Sequence, residues 1–370
     1  MVRLSYTKVK KILVSGGKIR YTEYHGVTCG KRGKNHMNWT LPDGSSFVGN
    51  TAAKSLLSAR LDAGAFPHAI LIEGPAGSGK RTLARLIAAA ALCSGTGQRP
   101  CGACPACRKS FAAVHPDITE LGGTGETRSF HIDTVRALQE DAYILPNEAS
   151  RRVFLLWDVQ NMTPQAQNAL LKILEEPPAH VLFILTCEQR ALLLSTVLSR
   201  VFTVSLGGVS AEEALSVLKQ RLPEKSNDEL ARAAALWGGV IGQALLSLED
   251  GSYREVLELL PAVASAVTAP TELELLLATA PLEKRREAVP AVLNGLQLIF
   301  RDALIAKSGG SAFLGTCPDV SQALAQTLTR TRLLALLSAV EELHLARLRN
   351  MNHTLFVTVL CARLRRAAGR

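Results

Sequence analysis

The sequence predicts an α/β domain built on a parallel sheet, followed by a half that is helical throughout. Three observations carry this expectation. From Phe47 to about Leu206, apolar runs of about five residues alternate with amphipathic stretches, the pattern of parallel strands covered by helices on both faces. Gly74-Pro75-Ala76-Gly77-Ser78-Gly79-Lys80 joins one such run to a helical pattern. Beyond Gly207, Ser/Thr-x-x-Glu signatures open helices at Ser210/Glu213, Ser226/Glu229 and Thr271/Glu274.

Element by element, a helix over 50–63 capped by Asn50 leads to a strand at His68–Glu73. The glycine loop then opens an Ala/Leu helix ending near Cys93, where a cysteine cluster begins. A strand around Asp117–Leu121 and a helix from Ile132 to about Asp141 follow. Strand Val153–Trp157, helix Pro164–Glu175, strand His180–Thr186 and a last strand Thr203–Leu206 complete the sheet. In the second half Gly238-Gly239 stops one helix, and Pro261, Pro270 and Pro290 punctuate the others. The organisation expected is 45–207 for the α/β domain, 208–252 for a small helical bundle and 253–370 for a larger one.

The 370 residues include 47% hydrophobic and 20% charged side chains, enough apolar material for two to three domains. The net charge of +10 is unevenly spread. Residues 1–40 hold nine basic residues and one acid, Glu23, a net of +8 that leaves about +2 for the rest. The body is therefore not a basic nucleic-acid binder on net charge, and any DNA contact needs a local patch. Residues 1–44 lack a sustained apolar period and are expected to have little packed structure. They read either as a basic arm or as a stretch outside the native protein, because Gly30-Lys31-Arg32-Gly33-Lys34 can be encoded by purine-rich, ribosome-binding-like codons just ahead of Met37, the expected start. Apolar runs reach about eight residues against the roughly 20 of a membrane span, so no membrane association and a cytoplasmic location are expected. The arginine-rich end, Arg363, Arg365, Arg366 and Arg370, reads as a solvated helix face matched to the helix dipole.

The glycine loop, between strand and helix, is a phosphate loop in which backbone N–H groups cradle phosphates and Lys80 supplies a cation. The nucleotide-binding set is Gly74, Gly77, Ser78, Gly79, Lys80, Arg81 and Thr82, for ATP or ADP. One position departs from the pattern: the hydroxyl that would ligate Mg²⁺ is replaced by Arg81, and Thr82 lies about 100° further round the helix. The strand Val153–Leu156 should end in a metal-holding acid followed by a glutamate that orients water; Trp157-Asp158 stands there instead. Both departures argue for a degenerate Mg²⁺ site and against hydrolysis by this chain. Cys93, Cys101, Cys104 and Cys107 place four thiols within 15 residues, the donor set of a closed structural Zn²⁺ site over 93–107. A redox pair at Cys101-Gly-Ala-Cys104 is the rival, and it leaves Cys93 and Cys107 without a role.

Further segments complete a pattern: Phe47-Val48-Gly49-Asn50, His115-Pro116-Asp117, Gln167-Asn168-Ala169-Leu170-Leu171-Lys172-Ile173-Leu174-Glu175-Glu176-Pro177-Pro178 and Thr196-Val197-Leu198-Ser199-Arg200. With the phosphate loop and the cysteines, they resemble the delta-prime family of bacterial DNA polymerase III clamp-loader subunits, related to gamma/tau. The resemblance covers about 45–250 by motif and 251–370 by helical character. It implies an AAA+ module, a helical lid (208–252) and a collar (253–370) joining a hetero-pentameric ring with gamma/tau and delta subunits. That ring sets the sliding clamp on primer-template DNA.

Within this resemblance Arg200 is implied to be an arginine finger, acting in trans on a neighbour's ATP. Thr186 takes the place of a first sensor, and Gln243 stands where motor subunits carry a phosphate-sensing arginine. Val201 replaces the cysteine usual after serine-arginine. Glu175 and Glu176 read as helix-terminus and interface residues. The reading is a non-hydrolysing stator. The alternatives are an active gamma/tau-type ATPase and, with less support, a free-standing P-loop NTPase.

Overall fold

A computed structural model describes residues 9–15, 18–24, 37–62, 66–122, 132–310, 313, 315–347 and 352–370. The expected arm is not featureless. Strands β1 (Val9–Ser15) and β2 (Lys18–Tyr24) pair antiparallel, with Val9 opposite Tyr24 and Ser15 opposite Lys18. The Gly30–Lys34 stretch lies outside the described residues. Among the residues whose burial is described, packing is already present at Met37, ahead of the boundary at 45. Met37 is buried, Trp39 and Phe47 face each other at 6.4 Å, and Asn38 N donates to Arg99 O at 2.6 Å.

The α/β domain comprises α1 (Thr51–Asp62), β3 (Ala69–Glu73), α2 (Lys80–Leu92), α3 (Pro105–Phe111), β4 (Ile118–Leu121), α4 (Ile132–Ala142), β5 (Arg152–Leu156), α5 (Pro164–Glu175), β6 (Val181–Cys187), α6 (Ser195–Leu198) and β7 (Phe202–Ser205). The five strands β3–β7 form one parallel sheet in the order β4-β5-β6-β3-β7. Alternation along each strand divides the core. Ile70, Ile72, Leu155 and Ile184 pack against α1 and α2, while Leu71, Phe154, Leu156 and Phe183 pack against α4 and α5. Burial of each such side chain stabilises the domain by about 1.5–3 kcal/mol. The sheet and its helical cover follow the sequence expectation; α3, in the cysteine segment, and α6 were not anticipated.

Asn50 does not serve α1 as a cap: its backbone takes a left-handed φ of 51°, and its Oδ1 accepts from Gly207 N at 2.9 Å. It thus ties the start of α1 to the chain leaving β7.

The remainder is helical: α7 (Ala211–Arg221), α8 (Asn227–Leu236), α9 (Ile241–Glu249), α10 (Ser252–Ala266), α11 (Glu272–Thr279), α12 (Val289–Lys307), α13 (Pro318–Thr327), α14 (Arg330–Arg347) and α15 (His353–Ala368). One continuous cluster of buried residues runs from Ala214 in α7 to Ala368 in α15. The Ser210/Glu213 box is reciprocal. Ser226 accepts from Glu229 N, but the Glu229 carboxylate pairs with Lys225. Thr271 bonds the Glu274 carboxylate side chain to side chain and leaves α11 uncapped by its hydroxyl. Pro261 lies inside α10 and does not interrupt it. The tail arginines are not all solvated: Arg365 donates to Ala269 O and Thr271 O at 3.0 and 2.9 Å, fastening α15 to the α10–α11 connection. By length and composition α12 could cross a membrane, although no run of that length stood out in the sequence; 56% of its apolar window is buried within this helical half.

Candidate functional site

Parallel strands leave their carboxyl ends and the following loops on one edge, where α/β sheets bind ligands. Three such ends meet here. Beyond β3 the loop Gly74–Gly79 turns into α2, with Gly77 and Gly79 at φ of 80° and 90°. A Cβ on Gly77 would come within 2.7 Å of Gln243 N, and Gly242 N donates to Gly77 O at 3.0 Å, so the start of α9 rests directly on the loop. Beyond β5 comes Trp157-Asp158, and beyond β6 come Glu188 and the chain to α6.

A cavity of about 600 Å³ is lined by Lys80, Arg81, Thr82, Asp158, Asn161 and Glu188, together with loop and α9 glycines. A second, of about 480 Å³, adjoins it through Gly77, Gly79 and Thr82 and is walled by Phe47, Val48, Val209, Ile241 and Leu245. Lys80 is buried, and its Nζ donates to Gly74 O and Pro75 O at 2.7 and 2.9 Å. Burial holds its ammonium below the usual lysine range, against the pull of Glu188 and Asp158. Ser78 Oγ is buried without a partner.

Arg81 sits in the place of the expected hydroxyl. Its Nη2 lies 3.2 Å from Asp158 Oδ2, and its guanidinium covers the Trp157 ring at 5.4 Å from the centroid. Arg85, one turn along α2, lies 5.9 Å from the same ring and 3.3 Å from Glu120, which also accepts from Trp157 Nε1. The sequence reading singled out Arg81 and missed Arg85, for which the i,i+4 spacing from Arg81 is the available signal; Glu120, Asn161 and Glu188 gave none. Asp158, at a left-handed φ of 54°, donates its N–H to Thr186 Oγ1 at 2.9 Å, so the sensor-position threonine holds the Asp158 backbone. Mg²⁺ takes oxygen ligands at about 2.0–2.1 Å. A guanidinium in the hydroxyl's place, already paired with the adjacent carboxylate, does not fit that ion. The glycine loop with Lys80, and the apolar pocket beside it, do fit a nucleotide.

At the other end of α2 the four cysteine sulfurs lie within 4.8 Å of one another. Tetrahedral Zn–S bonds of about 2.3 Å place sulfurs about 3.8 Å apart, so this donor set fits a soft four-coordinate metal. Backbone N–H groups of Gly95 and Cys101 point at Cys93 Sγ, that of Cys104 at Cys101 Sγ, and that of Cys107 at Cys104 Sγ. Burial pushes the Cys93 and Cys107 thiols up. At Cys104 burial also acts upward, but donors from Cys107 and Ser94 outweigh it and bring the thiol to about 6.

Arg200 lies apart from both cavities. Past the end of α6, its Nη1 donates to Thr196 O at 2.7 Å, and its Nη2 meets Glu175 Oε1 at 2.6 Å, with a third of the side chain exposed. Here it caps a helix and pairs with a carboxylate, as any surface arginine can. Glu175 ends α5, where the sequence placed it.

Residues 49–210 match the family model described as DNA polymerase III, delta subunit, and form a delta-subunit-like domain of that kind. Among curated relatives, DNA polymerase III subunit delta' of Pseudomonas aeruginosa is 37% identical over 177 residues, 46% of this chain and 53% of its own. Subunit tau of Salmonella typhimurium is 31% identical over 222 residues, 60% of this chain and 33% of its own. Subunit gamma of Buchnera aphidicola is 28% identical over 60% of this chain and 58% of its own. The chain thus spans a third to under three fifths of the length of these relatives.

Proposed function

We propose that this chain is a delta-prime-type subunit of a DNA polymerase III clamp loader, one that does not hydrolyse ATP and presents Arg200 to a neighbour's ATP. The observation that carries the reading is the Arg81–Asp158 pair over Trp157, which occupies the positions that would ligate Mg²⁺ and prepare water. Similarity to the delta' subunit of P. aeruginosa over 46% of this chain supports it. In this reading gamma/tau and delta subunits are the ring partners, the sliding clamp and primed DNA are met through the ring, the four cysteines hold Zn²⁺, and the chain is soluble and cytoplasmic. Arg200 exchanges Glu175 for the neighbour's γ-phosphate, where a planar guanidinium stabilises charge that develops during transfer.

Replacing Arg200 with Ala should leave the chain folded and assembled while lowering ATP turnover at the neighbouring site by at least about tenfold, a modest share of what arginine fingers supply. Unchanged turnover in the reconstituted ring removes Arg200 from the mechanism. A motor of the gamma/tau type is the second reading, favoured by Thr82, which lines both cavities, and by the gamma and tau relatives. Steady-state hydrolysis by the isolated chain that vanishes in Lys80→Ala would put this reading first.

A further inference from the structure

We infer that the phosphate loop of this chain binds a nucleoside di- or triphosphate without a divalent cation, the Arg81 guanidinium standing where the metal would be. The inference rests on reading Gly74–Lys80 as a phosphate loop and is independent of Arg200 acting in trans.

Four features of the cavity lead to it. Its two cations, Lys80 and Arg81, face two carboxylates, Asp158 and Glu188, so the walls are close to neutral and a polyphosphate must recruit positive charge from within. Arg81 is placed to give it. The pair with Asp158 is partly open to solvent, with side-chain exposures of 44% and 28%, so leaving that carboxylate costs little. A guanidinium then offers two parallel N–H donors to phosphate oxygens, a stronger match than the carboxylate it leaves. A divalent ion beside it would meet the guanidinium's positive charge and lack the hydroxyl ligand that Arg81 replaces.

Lys80 needs only to turn its Nζ from Gly74 O and Pro75 O toward the cavity, and the buried, unpartnered Ser78 Oγ gains a donor or acceptor from the ligand. The second pocket decides the ligand class. Phe47, Val48, Val209, Ile241 and Leu245 offer apolar walls to a flat heterocycle, and Asn50 sits at its edge. Because Gly77, Gly79 and Thr82 belong to both cavities, base and phosphates can be held by one continuous ligand.

The test is calorimetric titration of ADP into the purified full-length chain, once with excess EDTA and once with excess MgCl₂. Dissociation constants within about threefold of each other are expected, with binding lost in Lys80→Ala. Arg81→Thr restores the hydroxyl and should make binding magnesium-dependent, weakening it at least about tenfold in EDTA relative to MgCl₂, a difference of about 1.4 kcal/mol. Wild-type binding at least about tenfold tighter with magnesium would overturn the inference, as would absence of binding under both conditions. Circular dichroism of each variant separates lost binding from lost fold. The ring's turnover response to Arg200→Ala stands or falls apart from these titrations.

Discussion

The two ends of α2 make opposite uses of one helix. At its start, Lys80, Arg81 and the glycine loop face cavities open enough to admit a ligand, and the charged groups there are paired loosely. At its end, Cys93 begins a knot of four sulfurs whose backbone donors are already committed to one another. The open end is where the sequence departs from the pattern of its motif; the closed end keeps all four donors. A site that must exchange its contents can be retuned by a single side chain such as Arg81, whereas a closed tetrahedral site fails when any one ligand is lost.

The largest effect is therefore expected at the closed end. Cys104→Ser keeps an oxygen that can accept from Cys107 N at the start of α3, and so isolates the metal role from the cap. If the four thiolates hold Zn²⁺, this variant should lose its bound metal and leave 93–111 open to protease. Metal binding of this kind is worth about 10–16 kcal/mol and is coupled to local folding. Metal analysis that still finds one zinc per chain would break the contrast between the two ends.

Asp117 extends the contrast to carboxylates. Fully buried ahead of β4, it accepts N–H donors from Asn147, Glu148 and Ala149 at 2.5, 2.9 and 2.8 Å. Burial acts to raise its pKa, but those three donors prevail and hold the carboxyl below its usual range. A group depressed in the folded state stabilises above its unfolded pKa, about 3.9, and loses that contribution as pH falls through its folded value. Asp117→Ala leaves three part-buried backbone donors without their acceptor and should cost about 1.5–3 kcal/mol in urea unfolding at neutral pH. Asp117→Asn should flatten the acid limb of the stability curve below about pH 4; an unaltered limb would assign the acid sensitivity to other groups.

Much of this architecture was legible because parallel strands are buried on both faces and show as unbroken apolar runs, as Val181–Cys187 does. The phosphate loop and the cysteines were legible because their spacing is local. Long-range partners hid the rest. Asn50 reads as a cap until Gly207 claims its side chain 157 residues away. Arg365 reads as a solvated charge until two carbonyls near Thr271 accept from it. In the β1–β2 pair only Ile19 and Tyr21 alternate with polar neighbours, too short a run to announce it, and Pro261 is accommodated within α10 where a break was expected. At the open site, Arg81 and Asp158 were each visible alone; that they meet over Trp157 depends on strand register across the sheet.

The smallest effect is expected where the contrast is sharpest. Asp158 and Arg81 form an ion pair at 3.2 Å, but both remain partly in water, where screening and side-chain entropy consume most of the Coulombic gain. The neutral variant Asp158→Asn should shift unfolding free energy by no more than about 1 kcal/mol, under the loss at Asp117, although both are carboxylates at strand ends of one sheet. The same substitution frees Arg81, so ADP should bind as tightly as to the wild-type chain or somewhat more tightly in EDTA. A loss of stability matching that at Asp117 would mean that the open end of α2 is part of the folding core, and the division between an exchangeable site and a structural one would no longer hold.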